Sequence, residues 1–125
     1  MKIKKRVKKI TRQMDKFLPE KPLFAITLGS GLTDFVDAME NKKHIKYSQI
    51  KGMLKTTVKG HGGQFVFGYI KNRPILVMQG RFHLYEGYSA KEVVIPIYVF
   101  KLLGIKNFII TNAAGAVNQD YNPGD

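Results

Sequence analysis

Apolar residues recur at steps of three and four from Lys2 to Leu18, at Ile3, Val7, Ile10, Met14 and Phe17 to Leu18, which predicts an amphipathic helix. Pro19 and Pro22 bracket a break. The apolar run from Leu23 to Leu28 then predicts a buried strand that ends at Gly29-Ser30-Gly31. Leu32, Phe35, Val36 and Met39 return to helical spacing, so a helix is expected to start directly after that turn. From Asn41 to Lys59 no period holds, and this stretch reads as connection with one short strand around Thr56 to Val58. Gly60-His61-Gly62-Gly63 follows as a glycine-rich loop. Two β-rich runs, Gln64 to Ile70 and Pro74 to Gln79, flank the polar turn Lys71-Asn72-Arg73 and predict an antiparallel hairpin whose second strand feeds Gly80-Arg81-Phe82-His83. Ser89 with Glu92 three residues on forms a capping box, and Val93, Val94, Ile97, Phe100 and Leu103 carry one apolar face to Gly104. Pro96 lies too deep for a first-turn proline and is expected to bend that helix or leave one carbonyl unpaired. Lys106 to Thr111 predicts another buried strand, running into Asn112-Ala113-Ala114-Gly115.

Strands that each end in a polar, glycine-rich loop, with helices between them, argue an α/β architecture with ligands at the strand ends. Three loops qualify: residues 29 to 31, 80 to 85 and 112 to 115. With 125 residues the chain has room for one domain, 1–125, around one core. Absence of cysteine removes disulfides and thiolate metal sites and fits a cytoplasmic setting. No stretch approaches the roughly 20 consecutive apolar residues that a spanning helix needs. The N-terminal apolar residues are interspersed with Lys and Arg, so a secretory signal is not expected. A formal charge of +12, from 21 Lys plus Arg against 9 Asp plus Glu, favours anionic partners without choosing among phosphate, nucleotide and nucleic acid. Basic residues on the first helix suit nucleic acid or simple solvation. No aromatic-studded recognition motif accompanies them, so nucleic acid is the disfavoured partner.

Chemistry concentrates in the loops. Gly29-Ser30-Gly31 at a strand-to-helix turn is either a cradle of backbone N–H groups and a hydroxyl for an anion or only a turn. Arg81 and His83 alternate along an extended segment, so a guanidinium fork and an imidazole can converge on one phosphate. The alternative is Arg81 paired with Glu86 and His83 satisfied internally. His61, between glycines, closes on a ligand or sits exposed. Tyr85 and Tyr88 offer flat faces suited to a sugar, or ordinary packing. The small residues Ala113, Ala114 and Gly115 allow a flat ring to lie against the backbone, or tight packing. Paired carboxylates of glycosidase type, a metal-ligand cluster and a P-loop lysine are all missing from the sequence.

In order and spacing, Gly29-Ser30-Gly31-Leu32, Gly60-His61-Gly62-Gly63, Gly80-Arg81-Phe82-His83-Leu84-Tyr85-Glu86-Gly87-Tyr88, Thr111-Asn112-Ala113-Ala114-Gly115 and Pro123-Gly124-Asp125 resemble the amino-terminal half of the trimeric purine nucleoside phosphorylases. Methylthioadenosine phosphorylases fit less well. The resemblance implies a phosphorylase-like three-layer α/β fold, with a central mixed sheet flanked by helices and incomplete in this chain. It implies reversible phosphorolysis of purine (deoxy)ribonucleosides, needing no cofactor and using inorganic phosphate as co-substrate, in a homotrimer. Carried over by motif, Ser30, Arg81, His83 and the backbone of Ala113 would bind phosphate, with His61 closing near phosphate and sugar. His83 and His61 would act in catalysis, Tyr85 would line the ribose, and Ala113, Ala114 and Gly115 would form one wall of the purine pocket. Thr33 and Ala116 depart from glycines frequent in the family. The family continues for about as long again and holds its base-recognising residues there. Without that half, strand edges and apolar faces are expected to lie open, at roughly 25 cal/mol per Å² of apolar surface.

Overall fold

The computed structural model describes residues 2–29, 31–56 and 63–125, so Ser30 and His61 lie outside the described residues. Helix α1 spans Ile3–Phe17 and buries Val7, Ile10 and Met14, the stripe that the spacing marks. Strand β1, Phe24–Leu28, follows the proline break. The helix expected after it is instead a 3₁₀ segment, Thr33–Ala38, in which only Val36 is buried. Val36 and Met39 are buried and Phe35 packs partly against the same cluster, whereas Leu32 stays 46% exposed, so the covered stripe begins only at Phe35 and the segment stays short.

Strand β2, Glu40–Lys46, corrects the reading of this stretch as connection. Nearly every residue of it is exposed, so no apolar alternation betrays it. Backbone pairing with β3, Gln64–Ile70, makes it a strand, with an irregularity between Glu40 and Lys43. Its lysines suit a sheet edge, where charge discourages pairing with other chains. Thr56 belongs to no strand, and Thr57 and Val58 lie outside the described residues. The hairpin between β3 and β4, Arg73–Gln79, is present. Its turn is the two residues Lys71 and Asn72, both left-handed with φ 47° and 62°, which matches the twist of the paired strands.

Downstream, the capping box forms as expected, but the helix is two pieces: α2, Ala90–Val93, and α3, Ile95–Leu102. The chain breaks at Val94, and Pro96 thereby falls in the first turn of α3, where its missing N–H removes no helical bond. Gly104, at φ 77°, ends α3, with Gly104 N–H donating to Lys101 O and Ile105 N–H to Phe100 O, both at 3.0 Å. Strand β5 is Asn107–Ile110, and the expectation that it is buried fails. It pairs with β1 alone among the described residues, leaving Ile109 and Ile110 at 44% and 57% exposure.

Among the described residues the five strands form one mixed sheet in the order β2-β3-β4-β1-β5, with β1 parallel to β4 and β5 and the β2-β3-β4 pairs antiparallel. Strand alternation sorts the core into two layers. Ala25, Phe65, Phe67, Leu76 and Met78 face α1 and α3, while Ile26, Leu28, Val66, Ile75 and Val77 face Val36 and Met39. The sheet is therefore the middle of three layers. No described helix is long and apolar enough to cross a membrane.

Candidate functional site

The chain goes from β1 to β4 on one side and then returns across β1 to β5 on the other. The carboxyl ends of β4, β1 and β5 thus lie side by side where the winding reverses, the place at which open α/β sheets receive ligands. Register makes them level: Leu28 pairs with Gln79, and Thr27 with Ile110. The loops beginning at Gly29, Gly80 and Thr111 leave the sheet together.

Thr111 binds these ends to one another. Its Oγ1 accepts the Gly29 N–H at 2.8 Å and donates to Thr27 O at 2.7 Å. A Cβ on Gly29 would meet Thr111 O at 3.2 Å and Asn112 Cα at 3.3 Å, so the close approach of the two loops favours glycine there. At the end of β4, Gly80 takes φ 97°, a turn that side chains resist, and directs the chain into Arg81.

Arg81 and His83 do come together. Arg81 Nε–H points at His83 Nε2, a long 3.4 Å contact, and Arg81 Nη1 donates to the Thr111 carbonyl at 2.6 Å. The guanidinium is thereby tied to the exit of β5. The alternative pairing of Arg81 with Glu86 is not seen. Glu86 serves His83 instead, accepting its backbone N–H at 2.7 Å and lying 3.2 Å from its Nδ1. The reason is local: Leu84–Glu86 is a single 3₁₀ turn, which places residue 86 back over the backbone of residue 83. Both imidazole contacts are satisfied when the ring hydrogen sits on Nδ1. Tyr85 stacks on the same ring, with centroids 4.5 Å apart and planes inclined by 16°. Among the described residues no carboxylate lies within ion-pair distance of Arg81, so this partly buried cation has only neutral acceptors.

Tyr85 is 78% exposed beside this pair, and Ala113, Ala114 and Gly115 are exposed coil following Thr111. Tyr88 faces elsewhere, its hydroxyl bonding Lys55 main chain. No group of three potential metal ligands occurs among the described residues. Nothing in the spacing marks Thr111 as a brace, whereas the three-residue offset from His83 to Glu86 is itself a capping signature that marks Glu86 as a partner of residue 83.

A family model described as the phosphorylase superfamily matches residues 23–125, from the residue before β1 through all three loops. The chain belongs to the phosphorylase superfamily. Within it, purine nucleoside phosphorylase 1 of Bacillus subtilis (strain 168) is 42% identical over 123 residues, covering 98% of this chain and 45% of that protein. The structure of purine nucleoside phosphorylase from Schistosoma mansoni in complex with acetate matches with a TM-score of 0.89 at 42% identity, covering 97% of this chain and 44% of that one. The same organism's enzyme in complex with inosine gives 0.87 at 41% identity, covering 97% and 42%. The chain spans less than half the length of these superfamily relatives. Its mixed sheet with flanking helices is the corresponding part of their fold.

Proposed function

We propose that this chain provides the phosphate and ribose sites of a purine nucleoside phosphorylase, which splits purine (deoxy)ribonucleosides with phosphate into free base and (deoxy)ribose 1-phosphate. The observation that carries this reading is the contact of Arg81 with His83 at the carboxyl edge of β4, β1 and β5, where the guanidinium lacks a carboxylate among the described residues. A partly buried cation without an anionic neighbour among the described residues suits an oxyanion, and the fork geometry of arginine suits phosphate. The likeness to an enzyme solved with inosine supports the nucleoside half of the proposal.

In this reading Arg81, His83, Ser30 and the Ala113 amide hold phosphate, and His61 closes over it. One phosphate oxygen attacks the anomeric carbon while the bond to the purine nitrogen breaks, its electron pair leaving with the purine, which takes up a proton. Positive charge develops on the ribosyl carbon beside the bound dianion, so catalysis consists of positioning and electrostatic stabilisation. Tyr85, stacked on His83 with an open outer face, lines the ribose, and Ala113, Ala114 and Gly115 form one wall for the base. No cofactor enters. Assembly as a homotrimer, a cytoplasmic setting and a role in purine salvage complete the proposal.

Two measurements test it: calorimetric titration with inorganic phosphate, and phosphate-dependent release of hypoxanthine from inosine. Arg81→Ala is expected to weaken phosphate binding by about 10- to 100-fold, the weight of charge-assisted hydrogen bonds. Equal phosphate affinity in wild type and variant would remove Arg81 from the site and the reading with it.

A further inference from the structure

The turn that carries Arg81 and the backbone at Gly63 meet on one residue, Tyr47. This tyrosine is only 2% exposed and is wedged between Phe65 and Phe82, with ring centroids 4.9 and 5.1 Å away. Its backbone N–H donates to Gly63 O at 3.0 Å, and its hydroxyl donates to Gly80 O. The fit is tight on both sides. A Cβ on Gly63 would lie 2.3 Å from Tyr47 Cε2, and one on Gly80 would meet Gly63 Cα at 3.4 Å. Burial pushes the phenol well above its ordinary pKa, so the hydroxyl remains a donor at neutral pH.

The bonded oxygen matters because the Gly80 carbonyl and the Arg81 N–H belong to one planar peptide. Holding that oxygen sets ψ of Gly80 and hence the direction in which Arg81 leaves β4. Glycine at φ 97° has the widest conformational choice of any residue, so the turn cannot enforce that direction by itself. The packing that would be needed for structure alone is supplied by the ring. The hydroxyl adds orientation at a single peptide.

We infer that Tyr47 is a positioning residue for the anion site, its hydroxyl aiming the Gly80–Arg81 peptide while its backbone N–H holds Gly63 beside that turn. This rests on the reading of Arg81 as a phosphate ligand. It adds a residue 33 positions away from Gly80 in sequence that touches no phosphate itself.

The test is calorimetric titration with inorganic phosphate of the wild type, of Tyr47→Phe, and of Tyr69→Phe as a control that removes a remote hydroxyl bonded to Glu20. Tyr47→Phe keeps the ring and is expected to raise the phosphate Kd about three- to tenfold, while Tyr69→Phe leaves it unchanged. In an active preparation the loss falls on KM for phosphate and spares KM for the nucleoside. A lowered melting temperature with unchanged phosphate affinity would reduce Tyr47 to a packing residue and overturn the inference. In the wild type, the amide resonances of Gly63 and Arg81 are expected to shift together during the titration. If Arg81 shifts while Gly63 stays still, the coupling is overturned even should Tyr47→Phe not fold. A wild type that binds no phosphate would end the site reading itself, whereas wild-type binding that Tyr47→Phe preserves would end only the role of Tyr47.

Discussion

Thr111 uses every polar group it has: the hydroxyl links Gly29 to Thr27, the amide donates to Thr27 O at 3.1 Å, and the carbonyl holds Arg81. Thr111→Val preserves shape and deletes the hydroxyl, leaving the part-buried Gly29 N–H without its acceptor. An unfolding free energy lower by about 1 to 2 kcal/mol is expected, read as a shift in the denaturant midpoint at constant slope. An unchanged midpoint would show that solvent satisfies Gly29 and that Thr111 is no brace. Arg81 and His83 were legible as a pair because strand alternation over two residues is a local rule. The partners of Arg81 were not, because the Thr111 carbonyl lies 30 positions away.

Element by element, the most informative case is the break between α2 and α3. Apolar spacing from Val93 to Leu103 suggested one helix, and Pro96 marked where it must yield. Splitting at Val94 lets each piece keep its own start: Ser89 and Glu92 cap α2, and Pro96 opens α3. Glu92 accepts the Ser89 N–H and hydroxyl, both at 3.0 Å, and lies 3.4 Å from Arg6 of α1. These bonds, those from Ser89 foremost, hold its carboxyl below the ordinary value in the folded state. Since the folded pKa is the lower one, the contribution is complete above the unfolded value, about 4.3, and fades as pH falls through the folded value. The gap in melting temperature between wild type and Glu92→Gln is therefore expected to be constant above about pH 5 and to close progressively below about pH 4. A gap that persists undiminished in acid would mean that the charge of Glu92 plays no part.

For the whole molecule, the notable surface is the side beyond β5. Ile110 is 57% exposed, Val117 98% and Tyr121 62%, and among the described residues no strand pairs with the outer edge of β5. An open edge flanked by apolar side chains is a template for another strand. The charge of +12 opposes contact between copies, and salt screens that repulsion. Sedimentation of the 125-residue chain is expected to show association that grows with concentration and salt and is suppressed by Ile110→Lys. Equal behaviour of the variant would place the contact elsewhere.

What the amino-acid order determined by itself lies within a few residues of its cause: the stripe of α1, the hairpin of β3 and β4 with a short polar turn between them, the cap at Ser89 and the juxtaposition of Arg81 with His83. Each follows from backbone geometry and sterics acting over one turn or one pleat. Strand order and register decided the rest. They turned the polar stretch Glu40–Lys46 into an edge strand, left β5 uncovered, and brought Thr111 to Gly29 across 82 positions and Tyr47 to Gly80 across 33. Contacts of that kind depend on which faces pack together, and a one-dimensional pattern holds no record of its partner until the sheet forms.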